Sequence, residues 1–301
     1  MHVYYSPAYT AAGHAFDTTR KARWIADSLM RSPIPGLELV EPAPLTRDQV
    51  QAVHEPRYVG AIETGEPRLL AESQGFRWDP GLWPMVLASN GGVVSAALAA
   101  LEDGVSGSLS SGLHHARRER GSGFCTFNGL VIAARAALAA GARSVLILDL
   151  DAHCGGGTAS LIAGDPRIWQ VGVSVNSFDN FSNTNRAVQK QVSTGSEYVA
   201  TIERTLREAR QQKPAFDLCI YNAGMDPMED CSTGGLAGVT RQTLEHREAM
   251  VFDWCSSLNV PVAFTLAGGY IGPRLDEQGL VSLHRLTLSA ASRTFDRGVS
   301  R

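Results

Sequence analysis

Ser144–Asp151, Leu218–Asn222 and Val260–Leu266 share one pattern, an apolar run that stops at polar residues or glycine, and Trp169–Val175 is a strand candidate grouped with them. A strand with one wet face alternates, so unbroken Val/Ile/Leu runs mean burial on both faces, as in a parallel sheet covered by helices. Val3–Ser6, Leu37–Val40 and Gly107–Ser111 are further strand candidates. Helix-like stretches fall between them at Thr18–Met30, Arg57–Glu63, Pro84–Leu101, Asn128–Ala140, Ser196–Gln212 and Gln242–Ser257. Strand and helix alternating with short links give right-handed crossovers and a three-layer α/β fold with a central, mostly parallel sheet. No internal repeat, low-complexity tract or Ser/Pro-rich linker divides the chain, so residues 1–301 are expected to form one domain.

Composition narrows the function classes. With 27 Lys+Arg against 30 Asp+Glu the net charge is −3, which offers no basic field for gripping nucleic acid, so direct nucleic-acid binding is not expected. Arg117-Arg118 is a short basic pair beside Glu119. The longest apolar stretches are cut by Asp, Arg or Gly, and no membrane span or signal peptide is expected. Five cysteines without a CxxC pair argue against a disulfide framework and for a reducing, cytoplasmic setting.

In an open parallel sheet, ligands bind beyond the carboxyl ends of the strands, so the polar strand ends are where chemistry is sought. Ser144–Asp151 runs into Asp149-Leu150-Asp151-Ala152-His153, and positions two apart fall on one side. Leu218–Asn222 leads to Asp226 at the same end. Asp151, His153 and Asp226 together offer two oxygens and one nitrogen to a divalent ion, zinc or ferrous iron, with a position left for water or substrate. The competing reading is that Asp149 and Asp151 only cap the turn that follows.

Gly112-Leu113-His114-His115 follows Gly107–Ser111, and both histidines serve one site only where the chain is irregular. A histidine there can take a proton from water and return it. Gly268-Gly269-Tyr270 follows Val260–Leu266, bringing backbone close to a ligand and a phenol toward a carbonyl. Gly123-Phe124 is a candidate wall. His14, Asp17 and His54 show no spacing that points to a role. Each motif alone also fits a solvated loop or a packing residue. Their joint position argues for a metal hydrolase.

Taken together, GLHHA (Gly112–Ala116), GFCTFN (Gly123–Asn128), DLDAHCGGGT (Asp149–Thr158), NAGMD (Asn222–Asp226) and GGY (Gly268–Tyr270) resemble the zinc-dependent histone deacetylase superfamily, in the family's order. Val3–Tyr9, Asp149–His153, Tyr221–Asp226 and Gly234-Gly235-Leu236 are most similar to its class IV members. The resemblance implies an arginase-like α/β fold and removal of an acyl group, acetyl or longer, from N-acyl-lysine or a related acylated amine. It implies one Zn2+ per chain on Asp151, His153 and Asp226, with His114 and His115 as the catalytic pair, Asp149 orienting His114, and Tyr270 polarising the carbonyl. It also implies a structural K+ at Asp149, Asp151, His153, Ser174 and Val175. Gly123, Phe124 and Gly268 would line the acyl tunnel, with Leu236 near its mouth.

One position departs from the family pattern. Where relatives carry Asp or Asn to support the second histidine, this chain has Gly156. Either another group or a water takes over, or His115 is a weaker base. A hydrolase of small acylated amines or polyamines, and a weakened homologue that only binds metal or acyl-lysine, are therefore the rival readings.

Overall fold

The buried apolar runs lie side by side. In a computed structural model, which describes residues 1–13, 17–213 and 215–299, they form one eight-stranded, all-parallel sheet. Its strands are β1 (His2–Tyr4), β2 (Glu38–Val40), β3 (Val105–Ser108), β4 (Val145–Asp149), β5 (Ile168–Ser174), β6 (Ala187–Gln191), β7 (Leu218–Gly224) and β8 (Val262–Ala267). The order is β2-β1-β3-β8-β7-β4-β5-β6. His14 lies outside the described residues.

Every residue of β4, β7 and β8 is buried, as strands covered on both faces require. Alternation sorts their side chains into two cores. Leu146, Leu148, Cys219, Tyr221 and Phe264 face one way, against α1 (Asp17–Arg31), α8 (Gly195–Gln212), α9 (Arg241–Ser257) and α10 (Glu277–Val299). Val145, Ile147, Leu218, Ile220 and Ala263 face the other way, against α3 (Pro56–Thr64), α5 (Leu82–Asp103) and α6 (Gly129–Ala139). Shorter helices α2 (Arg47–Gln51), α4 (Arg68–Ala71) and α7 (Gly156–Ile162) complete the cover.

Two findings differ from the sequence expectations. By length and composition α5 passes for a membrane-crossing helix, yet Leu82, Val86, Val93, Ala96, Ala97 and Ala100 are buried in the second core. Strand β4 stops at Asp149, two residues early, because Asp149 Oδ1 accepts the Asp151 amide at 3.3 Å and turns the chain out of the sheet. All five cysteines are free and buried.

The four strands followed by the polar motifs, β3, β8, β7 and β4, are consecutive in the sheet, so their carboxyl ends form one continuous edge. Beneath it lies a buried network. Arg247 donates to the Leu150 carbonyl at 3.3 Å and to Tyr198 Oη at 3.0 Å, while Glu248 Oε1 accepts from Arg247 Nη2 at 2.6 Å and from Tyr221 Oη at 2.8 Å. This fixes the peptide between Asp149 and Asp151.

Candidate active site

Asp151 and His153 leave the end of β4, and Asp226 follows β7. One potential ligand atom from each lies within 4.8 Å of the other two. His153 Nδ1 stands 2.9 Å from Asp151 Oδ1 and 3.2 Å from Asp226 Oδ2. Asp226 is fully buried, and its Oδ2 meets no partner in hydrogen-bond geometry among the described residues. Burial and then the Asp151 charge push the Asp226 carboxyl above the usual carboxylate range. Burial disfavours the His153 cation, but the Asp151 and Asp226 carboxylates beside its ring outweigh it and push His153 up to about 11. Two buried carboxylates and a ring nitrogen converging on one point, with one oxygen unpaired, fit a divalent cation. Capping also holds: Asp151 Oδ1 accepts the His153 amide at 3.0 Å, so one carboxylate both shapes the turn and faces the site.

The loop after β3 supplies the histidine pair. Leu113 takes left-handed backbone, φ 59°, the irregularity that lets neighbouring histidines pack together, rings tilted by 42° with centroids 3.9 Å apart. Asn128 caps α6 by accepting the Val131 amide at 3.1 Å, and its amide group reaches the His114 and Ala116 carbonyls at 3.3 Å. His54 is fully buried and accepts the Asn128 amide at 3.0 Å, with its other ring nitrogen 2.8 Å from the Arg117 carbonyl. It holds the loop rather than facing the site.

The two histidines have opposite electrostatics. His114 Nδ1 lies 2.7 Å from Asp149 Oδ2, and Asn222 donates to Asp149 Oδ1 at 2.8 Å. Burial disfavours the His114 cation, but Asp149 and Asp151 outweigh that and push it up to about 9. His115 is pulled down to about 4, first by burial and then by the neighbouring His114 charge. A charged imidazole beside a neutral one gives a fixed electrostatic donor and a free base in one cavity.

That cavity is narrow, about 30 Å³, and is lined by His114, His115, Asp151, Tyr270, Gly123, Phe124 and Gly268, among others. Burial, followed by the charges of Asp226 and Asp151, raises the Tyr270 phenol well above its ordinary value, so it is a proton donor to hydrogen bonds at neutral pH. Gly268 has φ +53°, and a Cβ there would sit 2.2 Å from Asp226 Oδ1. Leu236 is not brought to this cavity: it is half-buried against the first core, its amide bonded to the Pro227 carbonyl. Ser174 and Val175 sit at the end of β5, next to β4, with the Val175 amide on the Ala152 carbonyl at 2.9 Å.

Several residues at the site escaped the sequence reading. Asp179, in the loop after β5, places Oδ2 2.9 Å from His115 Nδ1. Its Oδ1 accepts from Arg117, which belongs to the short basic pair and is therefore part of this site rather than a solvated charge. Phe178 is half exposed and packed edge-on against His115, with centroids 4.9 Å apart. Lys21 is buried and donates to the Gly268 carbonyl at 2.6 Å. Burial lowers it to about 8 despite the opposing pull of Asp226 and Asp151. Lys21 was legible as a cation on the Ala22/Ile25/Ala26/Leu29 stripe of α1. Asp179 carried no motif.

The histone deacetylase domain model matches residues 14–283. An uncharacterised protein of Picosynechococcus sp. PCC 7002 is 33% identical over 246 residues, covering 77% of this chain and 79% of that protein. Histone deacetylase 2 of Arabidopsis thaliana is 26% identical over 276 residues, covering 86% and 70%. Among solved structures, acetylpolyamine aminohydrolase from Burkholderia pseudomallei superposes with a TM-score of 0.80 at 18% identity, over 97% of this chain and 98% of that one; this likeness speaks to the fold.

Proposed function

This chain belongs to the histone deacetylase family, and we propose that it is a zinc-dependent amide hydrolase removing acyl groups from N-acyl-lysine or a related acylated amine. The observation that carries this reading is one cavity lined by a histidine pair with opposed charge states, a phenol and Asp151, the last of which belongs to a three-ligand cluster with His153 and Asp226. Asp151, His153 and Asp226 would hold the ion. Such an ion supplies Lewis acidity to a carbonyl oxygen and lowers the pKa of water to about 7.

The protein's own groups do the rest. Neutral His115 takes the proton of the attacking water at Nε2 and delivers it to the departing amine nitrogen. His114, kept charged by Asp149, stabilises negative charge without moving a proton. Tyr270 donates to the oxygen on which that charge develops. Gly123, Phe124 and Gly268 would form the acyl channel. Asp149, Asp151 and His153, with Ser174 and Val175 of the neighbouring strand end, would hold K+. Segments from His2 to Val299 build one sheet and its cover, which supports a single catalytic domain. The weakened-homologue reading rested on a missing partner for His115, and Asp179 removes that ground.

The test is turnover of the zinc-loaded protein on lysine peptides acylated from acetyl to myristoyl, beside acetylated polyamines. Hydrolysis of the peptides supports the reading and its length profile defines the acyl group. Hydrolysis of the polyamines alone replaces the substrate class, and no hydrolysis of any amide refutes the reading.

A further inference from the structure

We propose that Asp179 is the positioning residue of His115, entering from the loop after β5 to take the place that a side chain at position 156 would fill, and that Arg117 locks it there. The proposal rests on the hydrolase reading above for its kinetic consequence, though not for its geometry.

Asp179 Oδ2 lies 2.9 Å from His115 Nδ1 and accepts the Gly157 amide at 3.0 Å. Its Oδ1 accepts from Arg117 Nη2, and Arg117 Nη1 donates to the Gly156 carbonyl at 3.3 Å. The carboxylate is therefore held at both oxygens, and its side chain is only 5% exposed. Its backbone is left-handed, φ 57°, a conformation that Asp tolerates better than most residues and that aims the side chain inward.

Gly156 and Asp179 exclude alternatives to one another. A Cβ built on Gly156 would stand 2.4 Å from the Asp179 carbonyl oxygen and 2.6 Å from its Oδ1. No side chain fits at 156 while the loop holds its place, and with glycine there the carboxylate must come from elsewhere. The same loop supplies more than the carboxylate. The Phe178 carbonyl accepts the Cys154 amide at 3.0 Å, and the Phe178 ring closes against the His115 edge. One segment thus orients the base and walls it.

With Nδ1–H donated to Asp179, the proton of neutral His115 is fixed on Nδ1 and the lone pair of Nε2 is left for the cavity. Without the carboxylate the ring is free to carry its proton on either nitrogen, and the fraction competent as a base falls.

The test compares Asp179→Ala, Asp179→Asn and Gly156→Ala with the wild type. Gly164→Ala, where a Cβ meets nothing within 4 Å, serves as the inert control. Two readouts are taken: the His115 tautomer from ring 15N–1H correlation spectra of the whole protein, and kcat and KM separately on the best substrate. The expected wild-type spectrum is the Nδ1–H form, and Asp179→Ala shifts it toward Nε2–H. In the same variant kcat falls at least about 10-fold while KM stays within about 2-fold. Asp179→Asn, which keeps an acceptor oxygen, recovers part of the loss. Gly156→Ala reproduces the loss with Asp179 intact, covering the case in which Asp179→Ala does not fold. An unchanged tautomer, or a kcat within about 2-fold of wild type in both Asp179→Ala and Gly156→Ala, overturns the proposal. Wild type inactive on every amide, with the tautomer shift present, refutes the hydrolase reading and leaves the positioning geometry standing.

Discussion

Gly268→Ala isolates what holds Asp226 in place. At φ +53° an L-residue pays about 1–2 kcal/mol of backbone strain. The new methyl carbon would also stand 2.2 Å from Asp226 Oδ1 and 2.3 Å from its Cγ, so the carboxylate must rotate away. Rotation breaks its hydrogen bond from the Ala152 amide, 3.1 Å long, and a hydrogen bond to a charged group is worth about 1.5–3 kcal/mol. Together these put the destabilisation near ~3–4 kcal/mol, a large share of the ~5–15 kcal/mol typical of a domain. Guanidinium unfolding of the metal-free protein measures it. Gly104→Ala is the control for strain alone, since its φ is +84° and a Cβ there meets nothing within 4 Å. Zinc titration calorimetry on the same variant should show an affinity about 10–100-fold weaker, because a ligand has been displaced. If Gly268→Ala costs no more than Gly104→Ala and binds zinc like the wild type, the close approach is not what requires glycine.

Tyr270→Phe should lower kcat by about 100-fold to 1000-fold while leaving zinc affinity unchanged, because the phenol acts on developing charge and not on the ion; equal turnover would remove it from the mechanism. Above pH 6.5 His54 is neutral folded or unfolded, but below it the unfolded chain takes up a proton that burial denies the folded chain until about pH 4. Stability therefore falls across that window, and His54→Gln should flatten the acid limb of the unfolding free energy by up to ~3 kcal/mol; parallel limbs would contradict it. Arg247→Met strands the buried Glu248 carboxylate and should cost ~3–5 kcal/mol in denaturant unfolding, much of it regained in Arg247→Met/Glu248→Gln. A double variant no more stable than the single one would show that the ion pair is not what matters.

The central strands were legible because burial on both faces leaves a continuous apolar signature in β4, β7 and β8. Edge strand β6 was not: its Ala-Val-Gln-Lys-Gln is mostly polar and has no apolar run to mark it, so it reads as loop. Helix α10 also went unmarked, although Leu280, Leu283, Leu288 and Ala291 recur at helical spacing. At the site, Asp151, His153 and Asp226 declared themselves because strand ends of a parallel sheet are where function collects. Asp179 did not, since a carboxylate drawn in from a loop has no fixed distance in sequence from the histidine it meets. Gly156 showed that something was missing. Only the fold shows what replaces it.

The most direct measurement is turnover of an acetyl-lysine peptide by metal-stripped protein as zinc is returned, run in parallel on Asp226→Ala. Activity should rise with zinc, saturate at one equivalent per chain and stay absent in the variant. Turnover that ignores zinc, or that survives in Asp226→Ala, would contradict the assignment of Asp151, His153 and Asp226 as the metal centre on which hydrolysis depends.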